Sequence, residues 1–206
     1  GQIDAVLSDI GADAIKIGML HSADVVEVVA RKIEEYGIKN VVLDPVMVST
    51  SGHRLIEESA IETLKRRLVP LARVITPNIP EGEILSGRKI EGEKDFKSAV
   101  ELLSNGGKVS VLLKAGHLKD NVLVDYFFNA EDGTTTLLPS CRVETQNTHG
   151  TGCTLSSAFA AALARGEELT QAARSAKRYI EQAIISGAKY EIGKGHGPVD
   201  HFWNLN

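Results

Sequence analysis

Cysteine is scarce in this 206-residue chain: only Cys141 and Cys153 occur. That is too few for a disulfide framework, and neither stands in a CxxC spacing that would hold a structural metal, so the chain reads as cytoplasmic. Long apolar runs are missing too. None approaches the roughly 20 residues of a membrane span and no signal peptide opens the chain, so a membrane is not an expected partner. Basic runs are equally absent: 23 Lys and Arg stand against 27 Asp and Glu, a net charge of -4. Nothing here offers an electrostatic footprint for nucleic acid, and a small polar substrate fits better. An initiator Met is also lacking, since the chain opens Gly1-Gln2-Ile3-Asp4.

What is present is ordinary for a globular protein. The chain is 43% hydrophobic and 24% charged, enough for one well-buried domain over residues 1–206, and no repeat or linker divides it. Short β-branched runs alternate with amphipathic segments, which predicts an α/β fold with a mostly parallel sheet. Ala14–Ile17, Val41–Leu43, Arg73–Thr76 and Ser110–Leu113 read as strands. Between them the pattern predicts helices from Ser22 or Asp24 to Gly37, with Val25, Val28, Val29 and Ile33 as the apolar positions, and over Ser59–Leu68, Ile79–Leu85 and Glu93–Asn105. Val122–Phe128 and Thr134–Leu138 read as a terminal antiparallel hairpin, and two last helices begin near Gly152 and Leu169.

In open α/β sheets ligands bind beyond the carboxyl ends of the strands, and those ends are polar here. They read Gly18-Met19-Leu20-His21, Asp44-Pro45-Val46-Met47, Thr76-Pro77-Asn78-Ile79-Pro80-Glu81 and Lys114-Ala115-Gly116-His117. Asp44 and Glu81 are oxygen donors suited to Mg²⁺ or its waters, with Asn78 a neutral donor nearby. Asp44 before Pro45 equally suits a turn start, and Glu81 the first turn of a helix. Lys114 can meet a phosphate oxygen or simply snorkel from a strand end. Met19, Val46 and Met47 offer an apolar wall for a flat ring, or core. The run Val48-Ser49-Thr50-Ser51-Gly52 is small and polar enough to move over a substrate.

The densest signal is Asn147-Thr148-His149-Gly150-Thr151-Gly152-Cys153-Thr154, a Gly-rich turn running into a helix of small residues. Gly150 and Gly152 let several N–H groups converge on one anion, and the helix N-terminus adds its dipole. Cys153 in the first turn is a candidate base or nucleophile. His149, four residues earlier, could pair with it as in a thiol hydrolase, though no third orienting group is evident.

Taken in order, Lys16-Ile-Gly-Met-Leu20, Val42-Leu-Asp-Pro-Val-Met47, Ile75-Thr-Pro-Asn-Ile-Pro-Glu81, Leu113-Lys-Ala-Gly-His-Leu118, Asn147-Thr-His-Gly-Thr-Gly-Cys-Thr-Leu155 and Gly195-His-Gly-Pro-Val-Asp-His201 resemble the hydroxymethylpyrimidine/phosphomethylpyrimidine kinases of thiamine biosynthesis, in the ribokinase superfamily. The resemblance runs nearly end to end. It implies a three-layer sandwich with helices on both sheet faces, and ATP- and Mg²⁺-dependent phosphorylation of 4-amino-5-hydroxymethyl-2-methylpyrimidine and then of its monophosphate. By the same resemblance Cys153 is the catalytic base, with Gly150, Thr151 and Gly152 as the anion hole. Lys114, Asn78 and Thr148 fall on the nucleotide side, Asp44 and Glu81 in the metal region, and Met19 and Val46 beside the pyrimidine. A homodimer is implied as well. Family members begin with a strand and a Gly/Ser/Asp-rich turn that nothing before Gln2 represents, so the chain reads as lacking part of its pyrimidine pocket and is expected to turn over poorly. A pyridoxal kinase of the same fold, a thiol hydrolase and a silent pyrimidine-binding homologue are the rival readings.

Overall fold

The protein is described by a computed structural model covering residues 1–47, 55–115 and 122–205. Residues 48–52, read above as a movable segment, and Gly116 and His117 lie outside the described residues. After a short helix α1 (Gln2–Leu7) come β1 (Ile15–Ile17), α2 (Ala23–Tyr36), β2 (Val41–Leu43), α3 (Glu58–Thr63) and β3 (Val74–Ile75). The chain continues through α4 (Ile79–Ser86), α5 (Phe96–Leu103), β4 (Ser110–Leu113), β5 (Val122–Phe128), β6 (Thr135–Cys141), α6 (Thr151–Ala164) and α7 (Leu169–Gly187).

The six strands form one sheet in simple sequence order, parallel from β1 to β4 and antiparallel from β4 through β6. Parallel crossovers share one hand, so a strand order that never reverses puts all their helices on the same face. Side-chain alternation shows the result. Val41, Leu43, Ile75, Val111 and Leu113 pack with Val26, Ala30, Ile33, Ile61 and Phe96 of the crossover segments. Val42, Val74, Leu112 and Phe127 face the other way, against Leu155, Phe159 and Leu163 of α6 and Ala172, Ala176 and Ile180 of α7. The expected three layers are present. On the α6–α7 side the Ala-rich faces of both helices supply small buried residues, which permits close packing.

Several boundaries differ from the sequence pattern for identifiable reasons. On α2 the buried stripe is Val26, Ala30 and Ile33, while Val25 and Val28 stay exposed. Two overlapping apolar stripes share this helix, and only the sheet decides which one turns inward. The helix expected over Ser59–Leu68 is α-helical only to Thr63, then widens into a π turn at Leu64–Leu68 and a 3₁₀ turn at Val69–Leu71. The second hairpin strand runs on through Pro139 to Cys141, because β6 is a sheet edge where a missing N–H costs little. Helix α1 was not expected. It buries no residue of its own and is held from outside, where the Tyr36 hydroxyl donates to Asp4 Oδ1 at 3.0 Å.

Candidate active site

Because Leu43, Ile75 and Leu113 point to the α2–α5 face, the next residues, Asp44, Thr76 and Lys114, turn toward α6. They meet there. Asp44 is buried, 1% exposed, and every side of its carboxylate is engaged. Lys114 Nζ donates to Oδ1 at 3.0 Å and Thr76 Oγ1 to the same oxygen at 3.2 Å. On the other oxygen, Ser156 Oγ of α6 donates to Oδ2 at 3.1 Å, and Lys16 Nζ stands 3.6 Å away. Burial alone would push the Asp44 carboxyl up; the Lys114 ammonium, then Lys16 and the Ser156 hydroxyl, outweigh it and hold it below the ordinary carboxylate value. Burial likewise opposes the charge on Lys114, but Asp44, Glu81 and Asp125 keep its pKa above the ordinary lysine value.

Asn78 and Glu81 form a reciprocal capping box at the start of α4. Glu81 N–H donates to Asn78 Oδ1 and Asn78 N–H to Glu81 Oε2, both at 2.9 Å. The helix-start reading of Glu81 is therefore realised. Burial raises the Glu81 pKa, an effect that Lys114 and the N–H groups of Asn78 and Met47 oppose without reversing it. The two carboxylates are thus driven apart: Asp44 is a fixed anion and Glu81 the one whose charge is in play.

Gly150 caps α6 at φ +84°, a left-handed conformation that a side chain would strain. Thr151 gives both its hydroxyl, at 2.6 Å, and its N–H, at 3.3 Å, to the Thr148 carbonyl, which winds the turn and leaves the N–H groups of Gly152 and Cys153 as those of the first turn with no carbonyl within the helix to bond. A Cβ added at Gly152 would stand 3.3 Å from Lys114 Nζ, so the cradle and the Asp44–Lys114 pair are neighbours. Cys153 is a free, exposed thiol in this first turn, and Cys141, at the end of the edge strand, is also free and exposed. Among the described residues no hydrogen bond joins the His149 ring to the Cys153 thiol; His149 instead gives its backbone N–H to the Gly197 carbonyl at 3.0 Å. Cys153, Gly150, Thr154 and Ser157 line a cavity of about 580 Å³ that continues to His201.

A strap from the end of the chain fixes the cradle. Asn147 Nδ2 donates to the carbonyls of Gly187 and Tyr190 at 2.8 and 2.7 Å, and any Cβ at Gly197 would overlap Asn147 Oδ1. Thr154 Oγ1 and His201 Nε2 share a 2.9 Å hydrogen bond. On the apolar side, Met19 is half exposed and Val46 partly buried at the rim, while Met47, grouped with them on sequence, is core at 1% exposure. Among the described residues no three His, Cys, Asp or Glu side chains cluster as a protein-only metal cage. No described helix is long and apolar enough to cross a membrane.

The sequence reading passed over Lys16, Thr76, Ser156 and Asn147. A Lys between Ile15 and Ile17 was the available signal, since an ammonium inside an apolar strand needs a partner across the sheet.

A parallel-sheet sandwich with a lysine–carboxylate pair beneath a Gly-rich helix N-terminus defines a ribokinase-like phosphotransferase. The sequence pattern described as phosphomethylpyrimidine kinase matches residues 1–200. The chain is 44% identical over 202 residues to the hydroxymethylpyrimidine/phosphomethylpyrimidine kinase of Rhizobium meliloti, covering 98% of this chain and 75% of that protein. Bacillus subtilis pyridoxal kinase, solved as an ADP complex, superposes with a TM-score of 0.90 at 36% identity, over 100% of this chain and 76% of that one. Phosphomethylpyrimidine kinase from Clostridium difficile gives a TM-score of 0.77 at 39% identity, over 89% and 74%. The chain belongs to the phosphomethylpyrimidine kinase family.

Proposed function

We propose that this chain transfers the terminal phosphoryl group of ATP to the hydroxymethyl oxygen of 4-amino-5-hydroxymethyl-2-methylpyrimidine, and a second one to the resulting monophosphate. The observation that carries the reading is the meeting of the Asp44–Lys114 pair with the amino end of α6, where Cys153 stands in the first turn. As the substrate oxygen attacks the γ-phosphorus, Cys153 Sγ takes the hydroxyl proton. The bond from the γ-phosphorus to the bridging oxygen breaks and ADP leaves. N–H groups of residues 150–152 and the Lys114 ammonium face the charge that spreads over the transferring oxygens. Asn78 and Thr148 flank the nucleotide phosphates, and Met19 and Val46 the pyrimidine ring.

The donor set fits a Mg²⁺ that arrives on nucleotide phosphates, since Mg²⁺ keeps waters and needs only one or two carboxylates. Glu81 is the carboxylate that would hold it; Asp44, with four donors around it, serves by holding the lysines. The ion supplies neutralisation of phosphate charge. The family's substrates and nucleotide go with a cytoplasmic enzyme, and the resemblance adds a homodimer, which sedimentation velocity checks.

ADP release measured with hydroxymethylpyrimidine, its monophosphate and pyridoxal tests the reading, the last because a pyridoxal kinase shares the fold so closely. We expect slow turnover of both pyrimidines, Cys153→Ala to abolish it and His149→Ala to retain it. ATP-independent hydrolysis lost with His149→Ala would overturn the kinase reading in favour of a thiol hydrolase.

A further inference from the structure

We propose that Lys16 is a second phosphate-binding cation of this site, placed on the acceptor side, where it takes the phosphate of the pyrimidine monophosphate. The inference rests on the kinase reading above and names a substrate contact within it.

Lys16 pairs in register with Val42, whose side chain faces α6, so Lys16 leaves β1 toward the same layer as Asp44 and Lys114. Its long stem then climbs the strand. A Cβ added at Gly18 would stand only 3.1 Å from Lys16 Nζ, which puts the ammonium level with the carboxyl end of β1. Among the described residues its one charged neighbour there is Asp44 Oδ2 at 3.6 Å, a distance that leaves hydrogen-bonding capacity on an ammonium with three donors. Lys114 is laid out the same way, its Nζ against the bare backbone of Gly152. One buried carboxylate thus holds two ammoniums, each over a glycine, that of Lys114 beside the amino end of α6.

The two lysines divide the site by strand. Lys114 adjoins Asn78 in a parallel bridge, the side assigned to the nucleotide. Lys16 precedes Gly18 and Met19 at the exit of β1, the side assigned to the pyrimidine. A hydroxymethyl group gives an ammonium there nothing charged to bind; a phosphomonoester gives it an oxyanion. Asp44 is then a positioning residue for both phosphates.

The test compares kcat/KM for hydroxymethylpyrimidine and its monophosphate in wild type, Lys16→Met and Lys16→Arg, with calorimetric binding of the monophosphate in the absence of ATP as a second readout. Loss of one charge-assisted contact predicts that Lys16→Met lowers the monophosphate value roughly 10- to 100-fold more than the alcohol value, weakens monophosphate binding in step, and is partly rescued by Arg. Equal losses on both substrates, or unchanged monophosphate binding, would overturn the assignment while leaving the kinase reading intact. A wild type inactive on both pyrimidines would instead remove the reading beneath it. Should Lys16→Met fail to fold, Gly18→Ala keeps every charge but crowds the ammonium, and the same shift in substrate ratio is expected.

Discussion

Removing Lys114 while keeping Asp44 exposes how much of the site is held by charge. In Lys114→Met the carboxylate stays 1% exposed and loses its shortest charged partner, at 3.0 Å. Breaking a buried pair from one side costs about 3–5 kcal/mol. Because Lys16, Thr76 and Ser156 still face the carboxylate, the lower end, about 3 kcal/mol, is expected. Asp44→Asn should cost less, about 1–2 kcal/mol, since both lysine side chains keep some exposure and can move their ammoniums toward water. The double variant removes both charges, so its loss should fall short of the sum by about 1–2 kcal/mol. Urea denaturation at pH 7 of the four proteins measures this coupling. The pH gives a second check. The folded Asp44 pKa is lowered, so its contribution is fully present above the ordinary carboxylate value of 3.8 and is lost as pH falls through the folded value. Lys114→Met should bring that acid loss to higher pH. Additive single losses within about 0.5 kcal/mol, or an unmoved acid limb, would refute the account.

Glu81 has the opposite sign. Its folded pKa lies above the ordinary 4.5, so the native state binds the extra proton and the wild type loses stability as pH rises from there through the folded value. Glu81→Gln keeps the capping box with Asn78, so its melting temperature should gain on the wild type across that window while turnover falls; a gap that narrows with rising pH would contradict this. Gly197→Ala should destabilise by about 2–4 kcal/mol, because the new methyl displaces the Asn147 amide from the buried Gly187 carbonyl and the part-buried Tyr190 carbonyl. A melting temperature equal to wild type would show that the strap does not lock the cradle.

The sheet and the helices were legible because period-2 and period-3.6 patterns are written in local sequence, and the turn chemistry at Gly37, Gly106 and Gly150 punctuates them. The Gly-rich turn and the strand-end Asp44, Asn78, Glu81 and Lys114 were legible as chemistry, since each is a polar residue at the one end of the sheet where ligands bind. What sequence could not supply was partnership. Asp44 and Ser156 are 112 residues apart, and nothing local tells a carboxylate that its oxygens will be taken by α6. The same blindness left Met47 open between pocket wall and core, and made Val25 rather than Val26 look like the inner stripe of α2. An amphipathic face announces that it will be covered without saying by what.

The monotonic strand order has a consequence for how the molecule is made. The first four strands and their crossover helices close one face of the sheet from residues that leave the ribosome early. The opposite face, with Val42, Val74 and Leu112 fully buried in the finished protein, waits for α6 and α7, which begin only at Thr151 and Leu169. During synthesis the nascent chain therefore carries a greasy, half-roofed sheet from β4 until α6 follows, the interval in which chaperones and aggregation compete. The same late arrival that shields this face also brings the proposed anion cradle to the Asp44–Lys114 pair, so a chain stalled before α6 is expected to be both sticky and inert.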